Sequence, residues 1–339
     1  MKVTIYPYHL KTNSSATNPY IADFIRAMEQ NGITISNPPH KNPLIGLLPR
    51  KVDSDVYIFH WLENVPDYKY GMIQFLVALL FLANIRLHRK KIIWFMHNKQ
   101  PHTRKHAFKK QTLIRALIRS SDLIVTHATE GLDIIRKKYP HAAKKAFFFH
   151  HPTKIRMEQP NTEYAPDDTD LLIWGGISHY KRIPDFVLYH RKNQLNLKTK
   201  IIGKCSSPEL LKDIRKQQNE YISLEDKTIR FEELNKEIRK ARFVLVPYAP
   251  DSILSSGILM DSLSFGAKVI GPDTGSFRDY ADNPDLKVFT FKSFDEIPGI
   301  IARNDGKIDR EQYIRFLNNH SWEAFGKEFS DLLKKIFTQ

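Results

Sequence analysis

Short apolar runs alternate with helical patterns along the whole chain, and that alternation constrains the fold more than any other property of the sequence. In the first half Val3–Tyr6, Val56–Phe59, Ile92–Met96 and Leu123–Val125 read as strands covered on both faces. Between them, Pro19–Asn31 (stopped by Gly32), Met72–Leu87, Lys109–Arg119 and Thr129–Lys138 (closed by Pro140) read as helices. After Phe147–His150 comes a polar stretch from Pro152 to Thr169, with Pro160 and Pro166, which reads as a linker. The scheme then resumes. Strands are expected at Leu171–Trp174, Lys200–Ile202, Ile229–Phe231, Phe243–Val246 and Lys268–Ile270, and helices near Pro184–Tyr189, Pro208–Glu220 and Leu234–Ala241. Alternation of this kind predicts an α/β protein with parallel sheets wrapped by helices. At 339 residues the chain is long enough for two such domains, expected over 1–152 and 153–320. A last helix, 321–339, carries Trp322, Phe325, Phe329, Leu332, Leu333 and Ile336 as an apolar stripe.

The segment Val246–Pro272 reads as strand end, polar loop, glycine-opened helix and second strand. Ser255, Ser256 and Gly257 supply side-chain caps and a close-approach glycine where the helix begins, and unpaired amides at such a start attract phosphate. Asp261 lies about one turn inside, where a carboxylate can accept hydrogen bonds from ribose hydroxyls. An ordinary strand-helix-strand unit without a ligand fits the same pattern. Gly175 and Gly176 end the first strand of the second half, with Lys181 and Arg182 five and six residues beyond Gly176. Glycines let a phosphate approach the backbone and a nearby cation neutralises it, although a Gly-Gly turn with two surface cations reads the same way.

Polar residues also cluster at strand ends in the first half, where open parallel sheets bind ligands. His97, Asn98 and His102 follow Ile92–Met96, and His97 suits hydrogen bonding to a polyol or to nearby backbone. Trp61 and Glu63 follow Val56–Phe59: an indole beside a carboxylate suits a sugar ring, as a buried Trp beside a solvated Glu would suit the fold alone. His127, His150 and His151 are secondary candidates. The histidines are poorly spaced for a metal, and the single cysteine, Cys205, excludes a cysteine cluster or an intrachain disulfide.

Together these residues resemble a GT-B glycosyltransferase, most of all the retaining family 4 enzymes that build bacterial surface polysaccharides. The resemblance spans nearly the whole chain. It implies two Rossmann-like domains facing an interdomain cleft, an N-terminal acceptor-binding domain with the last helix crossing back to it, and a C-terminal domain for a nucleotide diphosphate sugar. PYAPDSILSSGILMDSLSFGAKVI is similar to the family's donor motif of two glutamates eight apart. Asp261 falls where the second binds ribose; the first is replaced by Ile253, with Asp251 two residues away as a substitute. WGGISHYKRI resembles the pyrophosphate clamp, with Lys181 matching its lysine, Arg182 beside it, and Ile177 or Ser178 where its arginine stands. Tyr248, Ser255, Ser256 and Gly257 complete the implied donor set. WFMHNKQPH resembles the segment whose histidine lies near donor sugar and acceptor, which makes His97 catalytic together with Lys181 and Asp251. The first-strand loop, His9 to Asn18, lacks the family's glycines. No cofactor and no metal is implied beyond the donor substrate. An inverting transferase, with Glu63 or His97 as base, and a sugar-nucleotide epimerase share the architecture.

Charge adds the partner. Residues 1–150 carry 23 Lys+Arg against 9 Asp+Glu, and the remainder 29 against 28. A one-sided basic domain points to a polyanion, and without a recognition module an anionic membrane surface fits better than specific nucleic acid. The most apolar segment, 71–87, is shorter than the roughly 20 residues of a spanning helix. It reads either as a buried helix or as one dipping into the bilayer interface beside the Arg86–Lys91 cluster. The expected acceptor is therefore a lipid-linked saccharide, and the expected place the inner face of the plasma membrane, on the cytoplasmic side; the start of the sequence, without a secretory pattern, points the same way.

Overall fold

The computed structural model describes residues 1–8, 19–40, 46–47, 52–99, 105–156, 169–251, 253–304 and 306–337. They form two compact units, residues 1–150 with 322–339, and residues 151–321.

The first unit contains β1 (Lys2–Tyr6), α1 (Tyr20–Gln30), β2 (Thr34–Ile35), β3 (Val56–His60), α2 (Gly71–Leu87), β4 (Lys91–Met96), α3 (Ala107–Ser120), β5 (Leu123–Thr126), α4 (Thr129–Lys138) and β6 (Ala146–Phe148). All strand pairs are parallel, in the order β2-β1-β3-β4-β5-β6. The strands of the centre are mostly apolar because helices cover both faces; every residue of β3 and β5 is buried. The apolar stripe of the chain's last helix, Trp322–Phe337, packs Phe325 and Phe329 against Phe24 of α1, within the core that β1, β3, β4 and β5 share.

The second unit contains β7 (Thr169–Trp174), α5 (Ile183–Lys192), β8 (Thr199–Ile202), α6 (Pro208–Gln217), β9 (Ile222–Glu225), α7 (Phe231–Lys240), β10 (Ala241–Leu245), α8 (Gly257–Ser264), β11 (Val269–Pro272), α9 (Gly275–Ala281), β12 (Val288–Phe291), α10 (Ile297–Arg303) and α11 (Arg310–Asn319); the last helix of the chain is α12. Its sheet is also parallel, in the order β9-β8-β7-β10-β11-β12. Two expectations fail locally. The strand expected at Ile229–Phe231 is absent: the third strand is β9, whose Ile222 and Leu224 pair with Thr199 and Ile201, and Phe231 opens α7. Helix α6, capped by Ser207 on the Leu210 amide, ends at Gln217.

Each sheet reverses its winding once, between β1 and β3 in the first unit and between β7 and β10 in the second. Connections leave such a point toward opposite faces, so a crevice opens at the carboxyl ends of the two strands. Among the described residues no helix is long and apolar enough to cross a membrane.

Candidate functional site

In the second unit the crevice lies between the ends of β7 and β10. Gly175 leaves β7 with φ +89°, in the left-handed region, and a Cβ there would lie 2.8 Å from Ile258 Cδ1 and 3.7 Å from Lys181 Nζ. Gly203, at the end of β8, lets this turn settle: a Cβ on it would collide with the Gly175 carbonyl oxygen. The loop after β7, the lysine and the first turn of α8 are thereby brought together. Ser256 caps α8, its hydroxyl accepting from the Leu259 amide at 3.2 Å. Gly257 is exposed, with open space where a side chain would stand. The amides of Gly176, Gly257 and Ile258 donate to no group among the described residues. Those of Gly257 and Ile258 are positive dipole ends at the start of α8.

Lys181 is the decisive side chain. It ends a 3-10 turn, His179–Lys181, is only 7% exposed, and places its ammonium 5.3 Å from the centre of the Tyr248 ring. No carboxylate pairs with it among the described residues. Burial strips its hydration and pulls its pKa down from 10.5 to about 8. A nearly buried cation beside free amides is built to receive an anion. Tyr248 stacks edge-on against Tyr180 at 5.7 Å, and burial holds its phenol well above the ordinary range.

Other expected members are placed differently. Arg182 turns away: its Nε donates to Asp185 at 3.0 Å and its guanidinium lies 4.8 Å over Phe294. Asp251 is exposed on the loop after β10, whereas Ile253 is buried in the core. Asp261 is on α8 as expected, and Arg156 Nη1 donates to it at 2.9 Å and to Ser264 Oγ at 2.7 Å. Arg156 in turn lies over the Phe231 ring at 4.4 Å. Ser255 is half-buried beside the cap.

In the first unit the strand ends deliver a cluster of imidazoles and aromatic rings. His60 ends β3, and its Nδ1 shares a 3.0 Å hydrogen bond with His97 Nε2. Trp61, at φ +53°, stacks on His97 with ring centres 4.3 Å apart. Tyr20 from α1 meets His97 edge-on at 5.2 Å and hydrogen-bonds His127 Nε2 through its hydroxyl at 2.7 Å. Burial pushes the His60 pKa down to about 3, so this imidazole is neutral, and its Nε2 is buried without a partner in the cluster. Asn98 is half-buried, and its side chain makes no hydrogen bond among the described residues. His102 lies outside the described residues.

Glu63 corrects an expectation. In place of standing open beside the indole of Trp61, its carboxylate is buried and accepts from Trp94 Nε1 at 3.4 Å. Burial raises its pKa to about 7, against the smaller lowering effects of its hydrogen bonds and of Lys110. The 3-10 turn Leu62–Asp67 rolls the chain inward immediately after Trp61, so a residue two positions on faces the core.

The whole chain superimposes on solved structures of this architecture. Anabaena HepE in complex with UDP and glucose matches with a TM-score of 0.66 at 9% identity, over 99% of both chains. The apo form of the lipopolysaccharide outer core galactosyltransferase WaaB matches at 0.65 and 12% identity, over 99% of this chain and 100% of that one. The fold is GT-B. A glycosyltransferase from Rickettsia africae gives 0.62 at 10% identity, over 99% and 98%. No protein-family model and no curated protein matches the sequence.

Within the GT-B framework several contributors went unread in the sequence. Arg156 follows the expected linker boundary with nothing to mark it, and Gly203 is a lone glycine at a strand end. Thr274 opens α9 and donates its hydroxyl to the Pro250 carbonyl, while the Ser276 amide donates to Leu254, so the start of α9 pins the loop that leads into α8. The Asp-Thr-Gly-Ser run at 273–276 was the available signal, a turn-and-cap sequence after a strand.

Proposed function

We propose that the protein is a glycosyltransferase that takes a sugar from a nucleotide diphosphate sugar and passes it to a saccharide acceptor. One observation carries this reading: the nearly buried Lys181 ammonium, without a carboxylate partner, next to the Gly175 turn and the open start of α8. A diphosphate supplies the missing anion, its oxygens accepting from Lys181 Nζ and from the Gly176, Gly257 and Ile258 amides. Asp261, oriented by Arg156, is assigned to the ribose hydroxyls. HepE, similar in fold, has been crystallised with UDP-glucose, which supports a nucleotide sugar as donor.

Transfer breaks the bond between the anomeric carbon and the diphosphate oxygen, and the electron pair leaves with the diphosphate. Negative charge grows there as the sugar becomes oxocarbenium-like, and fixed amides with a preplaced lysine stabilise that charge without reorganising. These groups do the work a metal ion would do, so the proposed transfer is metal-independent. In a retaining transfer the acceptor hydroxyl attacks from the face the diphosphate leaves, and the departing phosphate oxygen takes its proton. That course needs no side-chain base, and Glu63, buried against Trp94, is poorly suited to be one. Asp251 is exposed and available to the donor sugar. Acceptor binding is assigned to the first unit, with His97, Asn98 and Trp61 as hydrogen-bonding and stacking groups; the basic charge of residues 1–150 supports a lipid-linked saccharide of surface polysaccharide synthesis at the inner face of the plasma membrane.

The test is turnover of a panel of nucleotide sugars with and without saccharide acceptors. Release of free nucleotide diphosphate only when an acceptor is present supports transfer. Conversion of the nucleotide sugar into its epimer without an acceptor would replace the proposal by an epimerase.

A further inference from the structure

We infer that the outer face of α2, with the start of α3, is a docking surface for an anionic lipid bilayer. A helix on the face of a sheet is ordinarily apolar inside and polar outside. Helix α2 is apolar on both. Its inner side buries Ala78, Phe81, Leu82 and Ile85 on the sheet, while Met72, Ile73, Leu76 and Leu80 are exposed on the other, Leu80 at 70%. Tyr70 precedes them, and Phe108 at the start of α3 is 80% exposed. Single exposed leucines need no explanation; a run of them on one helix face, joined by two aromatic rings, does.

Topology locates this surface. Helix α2 leads from β3 to β4 and α3 from β4 to β5, successive parallel crossovers of one hand, so the two lie on the same side of the sheet and run the same way. They pack together, and the 3-10 turn at Leu62–Asp67 touches both. Their starts, with Tyr70 and Phe108, therefore lie at the strand ends that deliver His60, Trp61 and His97.

Charge decides the occupant. From Tyr68 to Ser121 the sequence holds 12 Lys+Arg and no Asp or Glu. Arg86 pairs with Asp122 and Lys110 with Asp67, but Lys69, Arg89, Lys105, Arg115 and Arg119 are exposed and form no ion pair among the described residues. A second copy of the chain would bring two such cationic fringes together, where each repels the other. A bilayer with acidic headgroups receives both features at once: the apolar residues enter the interface and the cations meet phosphate. At 17 residues α2 lies in the interface plane and does not span it. Resting on the glycosyltransferase reading, this placement holds the acceptor crevice of the first unit at the membrane, where a saccharide still attached to its lipid reaches it.

The test is co-sedimentation of the full chain with vesicles of phosphatidylcholine alone or with about 30% phosphatidylglycerol, at ionic strength near 0.1 M. Wild type is expected to bind the anionic vesicles at least about tenfold more strongly than the neutral ones. Leu76→Glu/Leu80→Glu and, separately, Lys105→Glu/Arg115→Glu are each expected to lower that binding by about tenfold or more. All four positions are exposed, so melting temperature and UDP affinity should stay at wild-type values, which separates loss of docking from misfolding. Undiminished vesicle binding by Leu76→Glu/Leu80→Glu overturns the inference, as does a wild-type dimer that this variant dissolves. Failure to bind any of a panel of nucleoside diphosphates while vesicle binding follows the pattern above would sink the donor reading and leave the docking surface standing.

Discussion

Replacing Lys181 by Met should weaken donor binding and stabilise the unliganded protein at the same time. The ammonium is nearly buried without a carboxylate partner, and its pKa falls from 10.5 to about 8, which corresponds to a cost of about 3 kcal/mol for holding the charge in the folded state. The sign fixes the pH window. Below about pH 8 the lysine is charged in both states and the cost is present in full. Between about 8 and 10.5 the folded protein has released a proton that the unfolded chain keeps, so stability rises with pH until the cost is gone. Methionine keeps the aliphatic packing against Tyr248 and removes the charge, so at neutral pH the variant should melt about 2–6 °C higher, a gap that closes above pH 8. Donor affinity moves the other way. Charge-assisted hydrogen bonds are worth about 1.5–3 kcal/mol, so UDP should bind the variant about 10–150-fold more weakly. Wild-type affinity should itself fall about tenfold for each pH unit above the lysine pKa of about 8, since only the protonated fraction binds well. Calorimetric titration with UDP across that range, alongside thermal melts of both proteins, measures all three effects. If the variant binds UDP within about twofold of wild type and melts no higher, Lys181 is not a vacant anion seat and the reasoning fails.

Two further substitutions probe the same site and a third the first unit. Gly203→Ala forces a Cβ into the Gly175 carbonyl, so it should cost about 1–3 kcal/mol in thermal or denaturant unfolding and lower UDP affinity with it; wild-type values on both counts would mean the turn relaxes freely. Wild type should prefer UDP to its dideoxyribose analogue by about tenfold or more, and Asp261→Ala should bring that ratio close to one; an unchanged ratio in calorimetry removes Asp261 from ribose recognition. Glu63 has its pKa raised from 4.5 to about 7, so its stabilising share is intact below pH 4.5 and is lost as pH climbs to 7. Glu63→Gln should therefore melt with wild type at pH 4.5 and above it at pH 7, and parallel melting curves across that interval would count against a buried carboxylate.

The fold was legible because its strands are short, mostly apolar and regularly spaced, as β3, β4 and β5 show, and because parallel strands need helices between them. The misplaced third strand of the second unit has a plain cause. Ile229 and Phe231 look as strand-like as Ile222 and Leu224, and only pairing with Thr199–Ile202 selects the latter. The crevice of the second unit was legible for a related reason: glycines, a capping serine and a lysine at fixed spacing are backbone devices, written locally. The ring cluster of the first unit was not. His60 and Tyr20 join Trp61 and His97 from different elements through ring packing and hydrogen bonds, and in sequence both resemble ordinary core residues.

On the proposed glycosyltransferase reading, the buried Ile253 bears on donor-sugar recognition. A carboxylate at that position would sit in the apolar cluster with Tyr248, Leu259 and Phe277, and desolvation there would cost more than its hydrogen bonds return. The surroundings of Ile253 are therefore closed to an acid. In the proposed site Lys181, the Gly175 turn and the start of α8 are the part assigned to the leaving group. On the proposed mechanism that part supplies the largest share of transition-state stabilisation, because the charge that develops on bond breaking develops on the diphosphate. On that reading an apolar residue at 253 bears on selection among donor sugars more than on the chemistry of transfer. The groups left to make that selection are the exposed Asp251 and the loop that Thr274 pins at Pro250, both carried by segments that sit outside the buried sheet and are free to differ without disturbing it.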